Sequence, residues 1–425
     1  MKIAICSDAY YPMTNGVAVF TTNLAKGLSS RGHEVIVISP SFTGKRHTST
    51  DKKTGVVNHF LTAKRFHLYP DQIHDIPDKK EVLGLKMPRL VYKNGLWLST
   101  RPRREIKKIL GTFKPDIIHL QTAGPVGLGV MTYVKKTNTP LISTGHSYPD
   151  NFTSQFKLLK PVKRPVNAAV RHYLNSFLKD AEYATMPTEL AIEELIPKNR
   201  KRFKVPVEAL SNGVDLSAFK PGKPSEEIYE KYHLDKNPHR ILYIGRIDPE
   251  KSIDIVLKAF KIVSKHIDDA EFALIGDGAD KSRLEKITKH LDLEAKVRFL
   301  GRILPPDLYE LYRTGSIFAT ASETETQGIV LIEAAATGLP LVAVDAGAIK
   351  EICKNGKNGY LCQPEDVEGI AESLIKILED PEKQKKMSKS SLEIAKNHDL
   401  NHTLKRFEEI YCDIIESNGK AEKTK

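Results

Sequence analysis

Apolar positions along this chain follow two alternating patterns. KIAIC near the start, HEVIVIS (33–39), DIIHLQT (116–122) and PLISTGH (140–146) are short apolar runs with the length and β-branched content of buried strands. Between the first two, NGVAVFTTNLAKGLSSRG spaces its apolar residues three to four apart. It predicts a helix from Ala18 to Ser30, stopped by glycine. A Gly-rich stretch and an apolar helix follow DIIHLQT, EYATMPT (182–188) is a further strand, and VEALSNGVD (207–215) ends this half in a turn. The pattern then restarts. HRILYIGRI (239–247), AEFALIGDG (270–278), KVRFLGRI (296–303), SIFATASE (316–323), LPLVAVDAG and GYLC predict strands. SIDIVLKAFKIVSKH, DLYELYRTG and GIVLIEAAATG predict helices.

Strands alternating with helices imply parallel sheets. Two such series predict two doubly wound, Rossmann-like α/β domains, 1–205 and 206–396, facing across a cleft at the carboxyl ends of their strands. Residues 397–415 read as an amphipathic helix that crosses back to the first domain. Residues 416–425 read as a disordered tail, and 45–100 as loops with short elements.

Composition narrows the class. The chain has 425 residues, 40% of them hydrophobic and 28% charged, with no apolar run long enough to span a bilayer. The amino-terminal apolar stretch is too short for a signal peptide and fits a first strand. The four cysteines, Cys6, Cys353, Cys362 and Cys412, are scattered, as expected of free thiols in a cytoplasm. The net charge of +12 is uneven: RPRREIKK (101–108), KLLKPVKRPVNAAVRHY (157–173) and PKNRKRFK (197–204) all lie in the first half. Each run alone reads equally as a solvated surface. Three together, one interleaved with Leu, Val and Tyr, favour an anionic partner.

Candidate chemistry gathers at strand ends of the second half. Gly245 ends a strand, and Arg246 and Lys251 follow. A cation in a first helical turn opposes the helix dipole, and a bound diphosphate would compensate for it. In ETETQGIVLIEAAATGLP (323–340) a helix opens at Gly328, and its first N–H groups have no partner within the helix. Gly328 lets a phosphate approach the backbone. Glu325 in the preceding loop can accept hydrogen bonds from a sugar, and Glu333, one turn into the helix, from two vicinal ribose hydroxyls. The bland alternative is an ordinary acidic helix start. No D-x-D motif suggests a metal beside a diphosphate, and IGDGAD lacks the full G-x-G-x-x-G of an NAD site. Asp277 reads as turn chemistry.

The order NGVD (212–215), GR-x4-K (245–251), IGDG (275–278), FLG (299–301) and E-x7-E resembles the retaining GT-B glycosyltransferases of family 4, over nearly the whole chain. The resemblance implies that Arg246 and Lys251 bind the donor diphosphate, that Glu333 binds ribose and that Glu325 contacts the donor sugar. It implies that Gln327, Gly328, Ile329 and Val330 supply backbone amides, and that Arg298 and Phe299 lie by the base. Gly16 matches a loop glycine that approaches the donor from the first domain, and His146 a histidine near the transferred sugar. Without that match, His146 reads as a structural residue; Asp8 is a weaker candidate for the same region. Three positions depart from the family pattern. Ser252 stands where glycine usually follows the lysine, Asn15 where the loop usually has a second glycine, and Gln327 where phenylalanine is common.

The block from HLQTAGPVG through the basic run to AEYATMPTEL resembles the branch that glucosylates diacylglycerol, and related phosphatidylinositol mannosyltransferases share much of it. The expected reaction is hexose transfer from a nucleotide sugar, UDP-glucose or alternatively GDP-mannose, to a membrane lipid. The protein would sit peripherally on the cytoplasmic face of an anionic membrane through its basic runs. It would need no cofactor or metal and bind no nucleic acid. A soluble sugar acceptor and a non-catalytic nucleotide-sugar-binding protein are the competing readings.

Overall fold

The computed structural model describes residues 1–13, 15–66, 81–82, 85–86, 96–149, 163–196, 203–236 and 239–423. They fall into two units. One takes the described residues of 1–211 together with those from Asn401 on; the other is Asn212–Leu400.

The first unit is built on an eight-stranded sheet. Its strands are β1 (Lys2–Cys6), β2 (Glu34–Pro40), β3 (His47–Thr50), β4 (Val57–Leu61), β5 (Ile117–Leu120), β6 (Leu141–Thr144), β7 (Tyr183–Met186) and β8 (Val207–Ala209), in the order β8-β7-β6-β5-β1-β2-β4-β3. All neighbours are parallel except β3 and β4. The parallel strands are continuous apolar runs because helices cover them. These helices include α1 (Gly16–Ser30), α2 (Pro102–Phe113), α3 (Pro125–Thr137), α4 (Lys163–Lys179) and α5 (Glu189–Leu195). Two features differ from the sequence reading. β4 is a parallel strand of the main sheet inside the segment read as loops with short elements. Its pattern is broken by Asn58, which is buried and accepts a hydrogen bond from the Tyr10 hydroxyl at 2.9 Å. The short run VEA pairs with β7, Val207 opposite Ala184, so the boundary lies at 211/212 rather than 205/206.

The second unit has six parallel strands: β9 (Arg240–Ile244), β10 (Glu271–Ile275), β11 (Val297–Gly301), β12 (Ile317–Ala319), β13 (Leu341–Val344) and β14 (Gly359–Cys362). Their order is β11-β10-β9-β12-β13-β14. The order reverses between β9 and β12, the switch point at which such sheets bind ligands beyond the strand carboxyl ends. Its helices are α6 (Glu226–Lys231), α7 (Ile253–His266), α8 (Lys281–His290), α9 (Asp307–Arg313), α10 (Ile329–Ala336), α11 (Ile349–Ile352), α12 (Val367–Leu378) and α13 (Pro381–Lys396).

The final helix, α14 (Leu400–Lys423), belongs to the first unit and runs past residue 415 through the segment read as a tail. That segment holds no proline, and its Glu, Lys and Ala residues favour helix, which outweighs the single Gly419. Phe407 and Tyr411 of α14 are buried, and Arg406 pairs with Glu208 at 2.8 Å. Cys6, Cys353 and Cys362 are buried free thiols, and Cys412 is an exposed one. Among the described residues no helix is long and apolar enough to cross a membrane.

Candidate active site

The carboxyl ends of β9, β10 and β11 are tied together by backbone. Gly245 N donates to Ile275 O at 3.0 Å, and Gly276 N to Gly301 O at 2.8 Å. A Cβ on Gly276 would lie 1.8 Å from Gly245 O, and one on Gly278 2.1 Å from Ile247 O. Glycine is required here because the loop carrying Arg246 lies directly on the next strand's loop. Asp277 is turn chemistry: its carboxylate accepts from Gly278 N at 2.9 Å. Tyr243, buried in β9, donates its hydroxyl to Arg246 O at 2.7 Å and fixes the loop from below.

After Arg246 the chain makes a single 3-10 turn, Pro249–Lys251, and passes through Ser252 with φ 48° and ψ 39°. This left-handed conformation is the physical reason for a glycine after the lysine; serine adopts it at a steric cost. The turn delivers Lys251 Nζ to Glu325 Oε1 at 2.6 Å, with both side chains largely buried. Burial acts to raise the Glu325 carboxyl, but Lys251, with smaller help from Ser322 and Arg246, more than offsets it. The net shift is below the ordinary carboxylate value. The Arg246 guanidinium is paired with Asp248 and Glu250. Both cations are thus matched by carboxylates that an incoming diphosphate could replace.

Glu325 is held in the loop between β12 and α10, where Ala348 N donates to its carbonyl at 3.2 Å. Gln327, 2% exposed, turns inward and accepts from Asn212 N at 3.2 Å, tying this loop to the NGVD segment. Gly328 is the N-cap of α10 with φ 79° and has no side chain to cap it. The N–H groups of Ile329 and Val330 in the first turn therefore have no partner within the helix. Glu333 follows on the same helix. Its Oε2 accepts from the Tyr312 hydroxyl of α9 at 2.6 Å. Burial raises its carboxyl to about 7 against the lowering effect of that hydroxyl. The two glutamates thus differ in state: Glu325 is a carboxylate paired with a cation, Glu333 a carboxyl poised near neutrality.

The structure does not bring Arg298 to this cluster. Its Nε lies 3.3 Å from Glu271 Oε1, and the same carboxylate holds buried Arg240 at 2.9 Å. Glu271 opens β10, so Arg298 leans toward the amino end of the sheet, drawn by a buried acid. Phe299 packs half-buried against the core of this unit.

In the first unit, Gly16 is the first residue of α1. Asn15, the departure from the glycine pair, caps that helix through Oδ1 and Ala18 N at 2.9 Å. His146 lies just beyond β6. Its Nε2 donates to Gln121 Oε1 at 2.7 Å, and its ring packs on Phe20 with centroids 5.1 Å apart. Burial lowers its pKa to about 3, so it is a neutral imidazole with Nδ1 as its acceptor. Asp8 turns to α3, accepting from Val126 N at 3.0 Å and the Thr122 hydroxyl at 2.8 Å.

Two family descriptions match the chain and together cover both units: Glycosyltransferase Family 4 over residues 14–218, and Glycosyl transferases group 1 over 224–393. The chain is a group 1 glycosyltransferase. The glycosyltransferase is 27% identical over 428 residues to an alpha-monoglucosyldiacylglycerol synthase of Acholeplasma laidlawii, covering 99% of each chain. It is 28% identical to a protein of the same name from Streptococcus pneumoniae, over 99% of this chain and 87% of that one. Among solved structures, it is similar to a sucrose-phosphate synthase of Thermosynechococcus elongatus. That pair has a TM-score of 0.76 at 16% identity, covering 98% of this chain and 100% of that one. Anabaena HepE in complex with UDP is similar at TM-score 0.70 and 18% identity, covering 97% and 100%. These structures establish the GT-B fold of this glycosyltransferase.

Sequence reasoning missed four residues of the cluster. Asp248 and Glu250 are visible in RIDPEK as carboxylates two and four residues after Arg246, a spacing that allows pairing. Tyr243 and Tyr312 carry no local signal: Tyr243 sits in the apolar run RILYI and Tyr312 in the amphipathic DLYELYR, and neither pattern shows where a hydroxyl points.

Proposed function

We propose that this glycosyltransferase transfers glucose from UDP-glucose to 1,2-diacylglycerol at a membrane surface, with retention at the anomeric carbon. The observation that carries the reading is the end-to-end similarity to two proteins named alpha-monoglucosyldiacylglycerol synthase. Arg246, Lys251 and the first-turn amides of α10 take up the charge that develops on the leaving diphosphate. They supply positive charge without a metal, so activity should persist in a chelator. Glu333 accepts from the ribose hydroxyls and Glu325 from the donor sugar. His146, neutral at working pH, orients a sugar hydroxyl as an acceptor at Nδ1 rather than as a charged acid.

The basic runs fit peripheral docking on anionic lipid. α2 exposes Arg103, Arg104, Lys107 and Lys108 while burying Ile106, Ile109 and Leu110. α4 exposes Arg164, His172 and Tyr173. Residues 157–162 and 197–202 of the basic runs lie outside the described residues. The test is a panel of UDP-, GDP- and ADP-sugars with and without liposomes of diacylglycerol and anionic lipid. The reading requires an α-glucosyl lipid from UDP-glucose. A product from GDP-mannose, or transfer only to soluble sugars, would overturn it.

A further inference from the structure

We propose that Tyr312 is a positioning residue of the donor site: its hydroxyl, hydrogen-bonded to Glu333 Oε2, fixes the carboxyl group in the orientation that receives the ribose hydroxyls of a nucleoside diphosphate. The inference rests on the reading of Glu333 as the ribose ligand.

Tyr312 is fully buried on α9, and its ring packs edge-on against Phe219 with centroids 5.5 Å apart. A phenol in such a place needs a partner, and the partner is a carboxylate on a different helix, at 2.6 Å. A carboxylate has about four lone-pair sites. Tyr312 occupies one on Oε2 and leaves Oε1 and the second site on Oε2 for a ligand. The bond also prevents rotation of the carboxyl group, so two vicinal hydroxyls meet acceptors already in place. It favours the ionised form, which burial disfavours. Among the described residues, the titratable groups facing Glu333 are Tyr312 and Tyr309, both of α9. Tyr243 of β9 in turn faces Tyr312, and Asp215 faces Tyr309. Removing the Tyr312 hydroxyl therefore leaves a carboxyl that titrates higher and turns freely, while the packed ring is kept.

The test measures equilibrium binding of UDP and of 2′,3′-dideoxy-UDP between pH 6 and pH 9, for the wild type, Tyr312→Phe and Glu333→Gln. GDP or ADP and its dideoxy form replace them if either binds the wild type more tightly. The wild type should prefer the ribose form by about tenfold or more, the worth of hydrogen bonds to a charged group. That preference should fall away on the acid side of pH 7. In Tyr312→Phe the preference at pH 7 should shrink about tenfold, and its acid limb should move to higher pH. Turnover at saturating donor should change much less than KM. Glu333→Gln should abolish the limb. If Tyr312→Phe keeps both the preference and the limb of the wild type while Glu333→Gln loses them, the positioning role is overturned and the reading of Glu333 survives. If the wild type does not distinguish the two nucleotides and Glu333→Gln binds UDP normally, the reading of Glu333 falls, and the proposal with it.

Discussion

Lys251 Nζ and Glu325 Oε1 stand 2.6 Å apart, joining the 3-10 turn after β9 to the loop that opens α10. Both side chains are largely shielded from water, so each charge is stabilised chiefly by the other. A donor diphosphate would take Lys251 as its own counter-charge and release Glu325 toward the sugar.

Replacing Lys251 should therefore do two separable things. Lys251→Ala should lower kcat by about two to three orders of magnitude, as removal of one stabilising donor does elsewhere. It should also destabilise the protein by about 3 kcal/mol, because the buried Glu325 loses the cation that contributes most to holding it ionised. The double variant Lys251→Ala/Glu325→Gln should recover the melting temperature but not the activity. Thermal denaturation and donor kinetics on the two variants check both parts.

Glu333 should cost the protein stability at alkaline pH. Its folded carboxyl is raised to about 7 by burial, so its favourable contribution is complete below the ordinary carboxylate range. That contribution is lost as pH rises through the folded value. Glu333→Gln removes this titration. The variant should gain on the wild type by about 2 kcal/mol between pH 5 and pH 8. Denaturant unfolding at the two pH values without nucleotide measures it. Equal pH dependence in the two proteins would contradict the poised carboxyl.

Ser252 holds a backbone conformation suited to glycine, with φ 48°. Ser252→Gly should relieve a strain of about 1 kcal/mol, partly offset by the greater freedom of glycine in the unfolded chain. The expected result is an unchanged or slightly higher melting temperature with full activity. Ser252→Val should lose stability, because a β-branched residue tolerates that region least.

Arg298→Ala should leave the KM for the donor within about twofold, because its guanidinium serves Glu271 beside Arg240. Glu271→Gln, which strands the fully buried Arg240, should instead cost about 3 kcal/mol or more. A tenfold rise in donor KM for Arg298→Ala would restore it to the nucleotide site.

The alternation of apolar runs and helical spacing was enough to locate the six strands of the second unit along the chain, because parallel strands covered on both faces leave an unmistakable pattern. It was not enough for β4, whose buried Asn58 imitates a loop, nor for β8, three residues long and next to a turn. Arg246, Lys251, Glu325 and Glu333 were singled out because they lie in the segments that follow strands and carry Gly245 and Gly328. The Arg298 ion pair with Glu271 was not legible, because a strand position fixes where a Cα lies, while its long side chain follows the nearest buried acid. Tyr312 was invisible because nothing in DLYELYR marks which tyrosine turns its hydroxyl toward another helix.

The most direct test of the central claim is one incubation of the wild-type protein with UDP-[14C]glucose and liposomes of diacylglycerol and anionic phospholipid. It is followed by organic extraction and assignment of the product's anomeric configuration. The account predicts label in the organic phase as an α-glucosyl diacylglycerol, formed about a hundredfold or more slower with Lys251→Ala. Label that stays in the aqueous phase, as free glucose or a soluble glucoside, would contradict the lipid acceptor.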